Sequence, residues 1–142
     1  MEDLINFYSE NEFYLESEND YKEWLEAVIE SEGKILGELS FIFCDDEYLL
    51  QINQKYLAHD TYTDIISFGS GVGDEISGDI FISTERVEDN SLEYGTMFLD
   101  ELKRVMVHGV LHFCGYDDHD QDQQRIMRSK ENEKIGMFHV EQ

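Results

Sequence analysis

The sequence predicts a single α+β domain spanning residues 1–142, with a central mixed β-sheet packed with helices. Three observations carry that expectation. The length supports one hydrophobic core and is short for two. Apolar residues recur with helical period at both ends of the chain, around a middle block of β-branched and aromatic runs. Helices therefore fall before, between and after the strands, the order of an α+β architecture. A hydrophobic fraction of 41% with 13% aromatics argues for a packed chain, because disordered acidic sequences are poor in aromatics. The chain has no proline, low-complexity tract or internal repeat to mark a boundary.

Taken in order, the first fifteen residues, with "INFY" and "EFYL", read as a short hairpin or an extended edge strand. From Asp20, Tyr21, Trp24, Leu25, Val28 and Ile29 follow the i, i+3, i+4 rule of an amphipathic helix, and Gly33 stops it. "GELSFIFC" places Leu39, Phe41 and Phe43 on one side of a half-buried strand. Asp45 is an N-cap candidate for a helix from Asp46 to about Leu57, with Leu49, Ile52, Asn53 and Tyr56 on one face. "DIISF" (64–68) and "GDIFIS" (78–83) read as strands separated by the glycine-rich acidic "GSGVGDEIS". Three helices follow, around 84–94, from about Met97 to Cys114, and from about Asp120 to Ile135. In the middle one Leu99, Leu102, Val105, Met106, Val110 and Leu111 cover most of the circumference, as in a buried central helix, and Gly115 ends it.

Charge and cysteine content narrow the function classes. Thirty-three acids against 10 bases give a net charge of -23, which opposes nonspecific attachment to nucleic acid or anionic membranes. Six of the ten bases, Lys103, Arg104, Arg125, Arg128, Lys130 and Lys134, gather on the last two helices; interleaved acids make that a solvated face. Cys44 and Cys114 read as free buried thiols, with no CxxC partner for a zinc knuckle. No apolar run approaches eighteen residues and the acidic start is unlike a signal peptide, so the expectation is a cytoplasmic protein with no membrane partner.

The chemistry concentrates in "HGVLHFCGYDDHD", residues 108–120. His108 and His112 stand four apart and share one helix face, the spacing with which two imidazoles close on one metal ion in the HExxH helix of zinc peptidases. Histidine in so apolar a helix is costly unless its ring nitrogens find partners, and a metal with acceptors behind it supplies them. Tyr116, Asp117, Asp118 and His119 follow the glycine turn, close enough to offer a third ligand. Three protein donors and an exchangeable water make a catalytic rather than a structural site. The general base of HExxH is missing, its place taken by Gly109, so that peptidase chemistry is disfavoured.

"HGVLHFCGYD" from His108 to Asp117 resembles the strongest signature of the YbeY family, metal-dependent endoribonucleases linked to ribosomal RNA maturation. "YLAHDTYTDIISF" from Tyr56 to Phe68 and "GDIFIS" resemble two further signatures of that family, in the same order, so the resemblance covers roughly residues 35–135. It implies a metal-site helix facing a cleft, in a fold related to zinc peptidases. Two departures stand out. The family usually has its third histidine directly after GYD; here that position is Asp118, with His119 one step later as the alternative ligand. Many members carry Arg after the motif tyrosine, where this chain has Leu57; Lys55 and His59 lie nearby, though both also read as solvated residues at a helix end.

The resemblance implies a single-strand-specific endoribonuclease in ribosomal RNA maturation and ribosome quality control, working through a metal-activated water, with ribosomal RNA and ribosomal particles or proteins as partners. His108, His112 and Asp118 would hold one divalent ion, zinc first, an oxygen donor making the site more tolerant of manganese or magnesium. Thr63, Asp64 and Ser67 resemble the cleft-lining strand, but no general base is identified; Asp79 reads as structural. Two alternatives are a metallohydrolase with a non-RNA substrate and a noncatalytic ribosome assembly factor with a structural metal.

Overall fold

The computed structural model describes residues 4–138. Four strands form one sheet in the order β1-β2-β4-β3: β1 (Ile5–Ser9), β2 (Ile35–Cys44), β3 (Ile65–Gly69) and β4 (Glu75–Ser83). β1 runs parallel to β2 and β2 parallel to β4, whereas β3 is antiparallel to β4, so the sheet is mixed as expected. The opening segment is the edge-strand alternative: Ile5 faces Leu39, and the partner lies a whole helix away in sequence. β4 begins within the glycine-rich segment, at Glu75, because its start pairs with Ile35 of β2.

Five helices complete the chain: α1 (Glu18–Ser31), α2 (Asp46–Leu57), α3 (Thr84–Tyr94), α4 (Phe98–Phe113) and α5 (Gln121–Ile135). Asp45 caps α2 by accepting a hydrogen bond from the Tyr48 amide. α1 starts two residues before Asp20, since its polar first turn carries no apolar period. The main core joins Leu39, Phe41, Phe43, Ile80 and Ile82 of the sheet to Trp24, Leu25, Val28 and Ile29 of α1 and Leu102, Met106 and Val110 of α4. Cys44, Leu49 and Ile66 make a smaller cluster that holds α2 to the sheet's other face. The apolar face expected of α2 is shorter than its spacing implied, as Tyr56 is exposed. Leu99 is also exposed, a correction to its expected place among the buried residues that cover most of the circumference of α4. No helix among the described residues is long and apolar enough to cross a membrane.

Two glycine contacts set how α4 lies on the sheet. A Cβ on Gly109 would stand 2.9 Å from Ile65 Cδ1 and 3.0 Å from Ile80 Cδ1, so this bare spot lets the helix press onto β3 and β4. One turn later the Phe113 ring covers Gly69 and Gly78, which face each other across the β3–β4 pair. Gly78 is required twice over: its φ is +152°, and a Cβ there would meet the Phe68 carbonyl oxygen at 2.3 Å. Flattened against the sheet on this side, α4 presents His108 and His112 along its other edge.

Candidate metal centre

The chain returns over α4 by a tether that begins at Tyr116. Gly115 takes a φ of +106°, reversing the backbone after α4. The Tyr116 hydroxyl then donates a 2.6 Å hydrogen bond to Glu32, at the end of α1. Glu32 also takes Lys134 at 2.8 Å and Lys130 at 3.3 Å. Burial opposes a charge on Glu32, yet the hydrogen bonds from Lys134 and Tyr116, with the charge of Lys134 and the contact to Lys130, carry its pKa down to about 2. From this fixed point the chain runs to Asp120, which caps α5 by accepting from the Gln123 amide, while the Gln123 side chain accepts from the His119 amide. Asp118 is thereby held between two anchored points.

His108, His112 and Asp118 meet. The two Nε2 atoms are 3.0 Å apart, and Asp118 Oδ2 lies 3.3 Å from His108 Nε2 and 3.6 Å from His112 Nε2. His119 is exposed and is not part of this group. Tetrahedral bonds of ~2.0–2.1 Å would space donors about 3.3 Å apart, so the nitrogen–nitrogen–oxygen set fits one small divalent ion. The three side chains could hold a metal ion.

The fourth member of the arrangement, Glu131, was not visible in the sequence. It sits in α5, only 5% exposed, and its Oε2 is 2.7 Å from His108 Nδ1. Burial works against its charge, but hydrogen bonds from His108 and Arg104 draw its pKa below the usual carboxylate range, so it is an acceptor. Nδ1 must then donate, which leaves the Nε2 lone pair of a neutral His108 aimed at His112 and Asp118. Arg104 completes the support by donating to Glu131 at 2.8 Å and to Asn132 at 2.8 Å. Burial disfavours a charged His108, yet the hydrogen bond and charge of Glu131, with Asp118 and Asp64 nearby, raise its pKa. A field that favours an added proton there favours an added cation too.

The group opens into a cavity of about 290 Å³ whose lining includes Asp64, Glu101, Arg104, His108, Asp118 and Arg128. Burial pushes the carboxyls of Asp64 and Glu101 up from their ordinary values, and each is raised further by other carboxylates around the cavity. Of the sequence's cleft candidates, only Asp64 lines this cavity. Thr63 and Ser67 line a neighbouring hollow with Leu57 and His59 that shares only Ile65 with the first. Lys55 is exposed and lies over the Tyr56 ring, and Asp79 faces a third hollow with Ser40 and Ser77.

The basic residues of α4 and α5 are not one solvated face. Lys134 is 2% exposed and paired with Glu32 and Glu133; Arg104 and Lys130 also reach across to carboxylates. Both cysteines are free thiols, with Cys44 buried and Cys114 half-buried; burial pushes their pKa values up to about 12 and about 11.

Comparison with known proteins places this arrangement in a family. The family described as Endoribonuclease YbeY matches residues 5–139. A protein of Christiangramia forsetii named endoribonuclease YbeY is 60% identical over 138 residues, covering 97% of this chain and 96% of its own. Its namesake in Bacteroides thetaiotaomicron is 46% identical over 115 residues, covering 81% and 84%. The solution structure of TM1509 from Thermotoga maritima superposes with a TM-score of 0.69 at 25% identity, covering 94% of this chain and 88% of that one. With that match running from the first strand past the last helix, the chain belongs to the YbeY endoribonuclease family.

Proposed function

We propose that this chain is a cytoplasmic, single-strand-specific endoribonuclease that acts on ribosomal RNA during maturation and quality control of ribosomal particles, with His108, His112 and Asp118 holding one divalent ion, zinc in the first place. The observation that carries the reading is the convergence of two imidazole nitrogens and one carboxylate oxygen within 3.6 Å at the edge of a cavity, in a chain of an endoribonuclease family. Held by His108, His112 and Asp118, a divalent ion would supply Lewis-acid polarisation of a phosphoryl oxygen and would lower the pKa of a water towards neutrality.

The protein's own groups set the rest. Glu131 fixes the His108 ring so that Nε2 faces the cavity edge, and Arg104 keeps Glu131 charged and in place. Asp64 and Glu101, both kept from ionising freely by burial, line the cavity and are the carboxyls that would take or return a proton during attack on phosphorus. Three protein donors leave room for substrate or water, as catalytic rather than structural sites do. The net charge of -23 repels loose RNA, which favours substrate presented on a ribosomal particle. Incubating the purified, metal-loaded protein with single-stranded ribosomal RNA, with and without chelator and beside His108→Ala, tests the reading. Cleavage lost in both controls is expected; cleavage that survives both would overturn it.

A further inference from the structure

The arginine that the resemblance would place after Tyr56, a residue type suited to pairing with phosphate, is absent here, so which group of this chain holds the RNA backbone is open. Leu57 stands in its place, half-exposed in the hollow beside Thr63 and Ser67 and outside the cavity of the His108 group. The other side of the centre is different. Arg128 lines the 290 Å³ cavity, and it also lines a second hollow of about 500 Å³ that shares His108, Asp118 and Glu131 with the first. Its side chain thus stands on the ridge between the two spaces that meet at the metal centre.

Its charge is also unspent. Arg86 is paired with Asp46, Arg104 with Glu131 and Arg125 with Asp122. Arg128, the remaining arginine, makes no ion pair among the described residues and is exposed. In a chain with 33 acids, an arginine without a carboxylate partner is unusual, and this one lies where an anion would have to approach. Its field already reaches into the cavity, where it acts on Glu101 against the effect of burial. A guanidinium forms paired hydrogen bonds with two phosphate oxygens, the geometry that a strand lying across the ridge would offer.

We propose that Arg128 is the phosphate-binding residue of this chain: it grips a backbone phosphate of the RNA strand beside the His108–His112–Asp118 group, from α5 rather than from the end of α2. The inference rests on the ribonuclease reading above. It also accounts for how so acidic a protein admits RNA, because the one guanidinium without an ion pair among the described residues lies at the entrance to its metal centre.

The test is steady-state cleavage of a single-stranded oligoribonucleotide of ribosomal sequence by the metal-loaded wild type, Arg128→Ala, Arg128→Lys, Lys55→Ala and Lys103→Ala. Metal content and thermal midpoint are measured on each variant. Lys103 lies over the Phe138 ring in a different cavity and serves as a charge-matched control. Arg128→Ala is expected to raise KM about tenfold or more, the size of a lost charged hydrogen bond, with metal content and midpoint unchanged. Its slope of log affinity against log salt should fall by about 0.7. Arg128→Lys should recover part of the loss, and Lys55→Ala and Lys103→Ala should match the wild type. A wild type that cleaves while Arg128→Ala keeps the same KM overturns this inference alone. So does an equal loss in Lys103→Ala, which would be a general field effect, or a loss found in Lys55→Ala instead. Where the wild type cuts RNA only on ribosomal particles, the same variants are compared on that substrate. A metal-loaded wild type that cuts neither the oligoribonucleotide nor the RNA of ribosomal particles overturns the ribonuclease reading and this inference with it.

Discussion

Glu131 Oε2 and His108 Nδ1 lie 2.7 Å apart although the residues belong to different helices and stand 23 positions apart. This bond fixes which ring nitrogen carries the proton, and so which one is free to ligate. Glu131→Gln keeps the shape but replaces the charged acceptor with an amide that can present its NH2 to Nδ1. Zinc affinity should fall roughly 10- to 100-fold, the usual effect of losing such a supporting carboxylate. A zinc titration against a competing chelator reads it; an unchanged affinity would show that His108 is oriented by packing alone.

Gly109 occupies the position where zinc peptidases carry a glutamate, and the sheet explains why none can stand here. Its missing Cβ faces Ile65 and Ile80 at about 3 Å, so a longer side chain would have to enter the core. Gly109→Glu combines overpacking with a buried carboxyl that has no partner, and should cost more than about 4 kcal/mol of stability or prevent folding. Urea unfolding measures it. A loss within about 1 kcal/mol would mean that the helix can lift from the sheet.

The Glu32 cluster gives a pH dependence of definite sign. Its folded pKa of about 2 lies below the ordinary 4.5, so the folded state binds this proton less readily than the unfolded chain. The resulting stability, about 3 kcal/mol, is fully present above pH 4.5 and is lost as pH falls towards 2. Glu32→Gln should therefore be less stable than wild type by about that amount at pH 7, and the gap should shrink steadily in denaturation series run below pH 4.5. A gap that stays constant across that range would contradict the assignment.

Much of this was legible in the sequence, for a physical reason that differs by element. α1 and β2 have one apolar face against the core, so their periods are clean, and Trp24, Leu25, Phe41 and Phe43 are buried as the pattern implies. His108 and His112 were found because a helix turns spacing into proximity. Asp118, which spacing favoured over His119, is the residue that meets them. β1 was ambiguous because its partner, β2, lies beyond α1. Arg104, Glu131 and Lys134 were hidden for a different reason. Period-based reading assigns charges to solvent, whereas here opposite charges from separate elements neutralise one another inside the fold. Met127 is the only apolar member of the Met127, Glu131 and Lys134 stripe that α5 buries.

The central claim is that three side chains hold one ion, and zinc titration of the wild type, His112→Ala, Asp118→Ala and His119→Ala tests it most directly. One ion per chain is predicted, with affinity at least about tenfold lower in His112→Ala and Asp118→Ala and unchanged in His119→Ala. Failure of the wild type to take up an ion, or loss of binding in His119→Ala with Asp118→Ala unaffected, would contradict the centre described above.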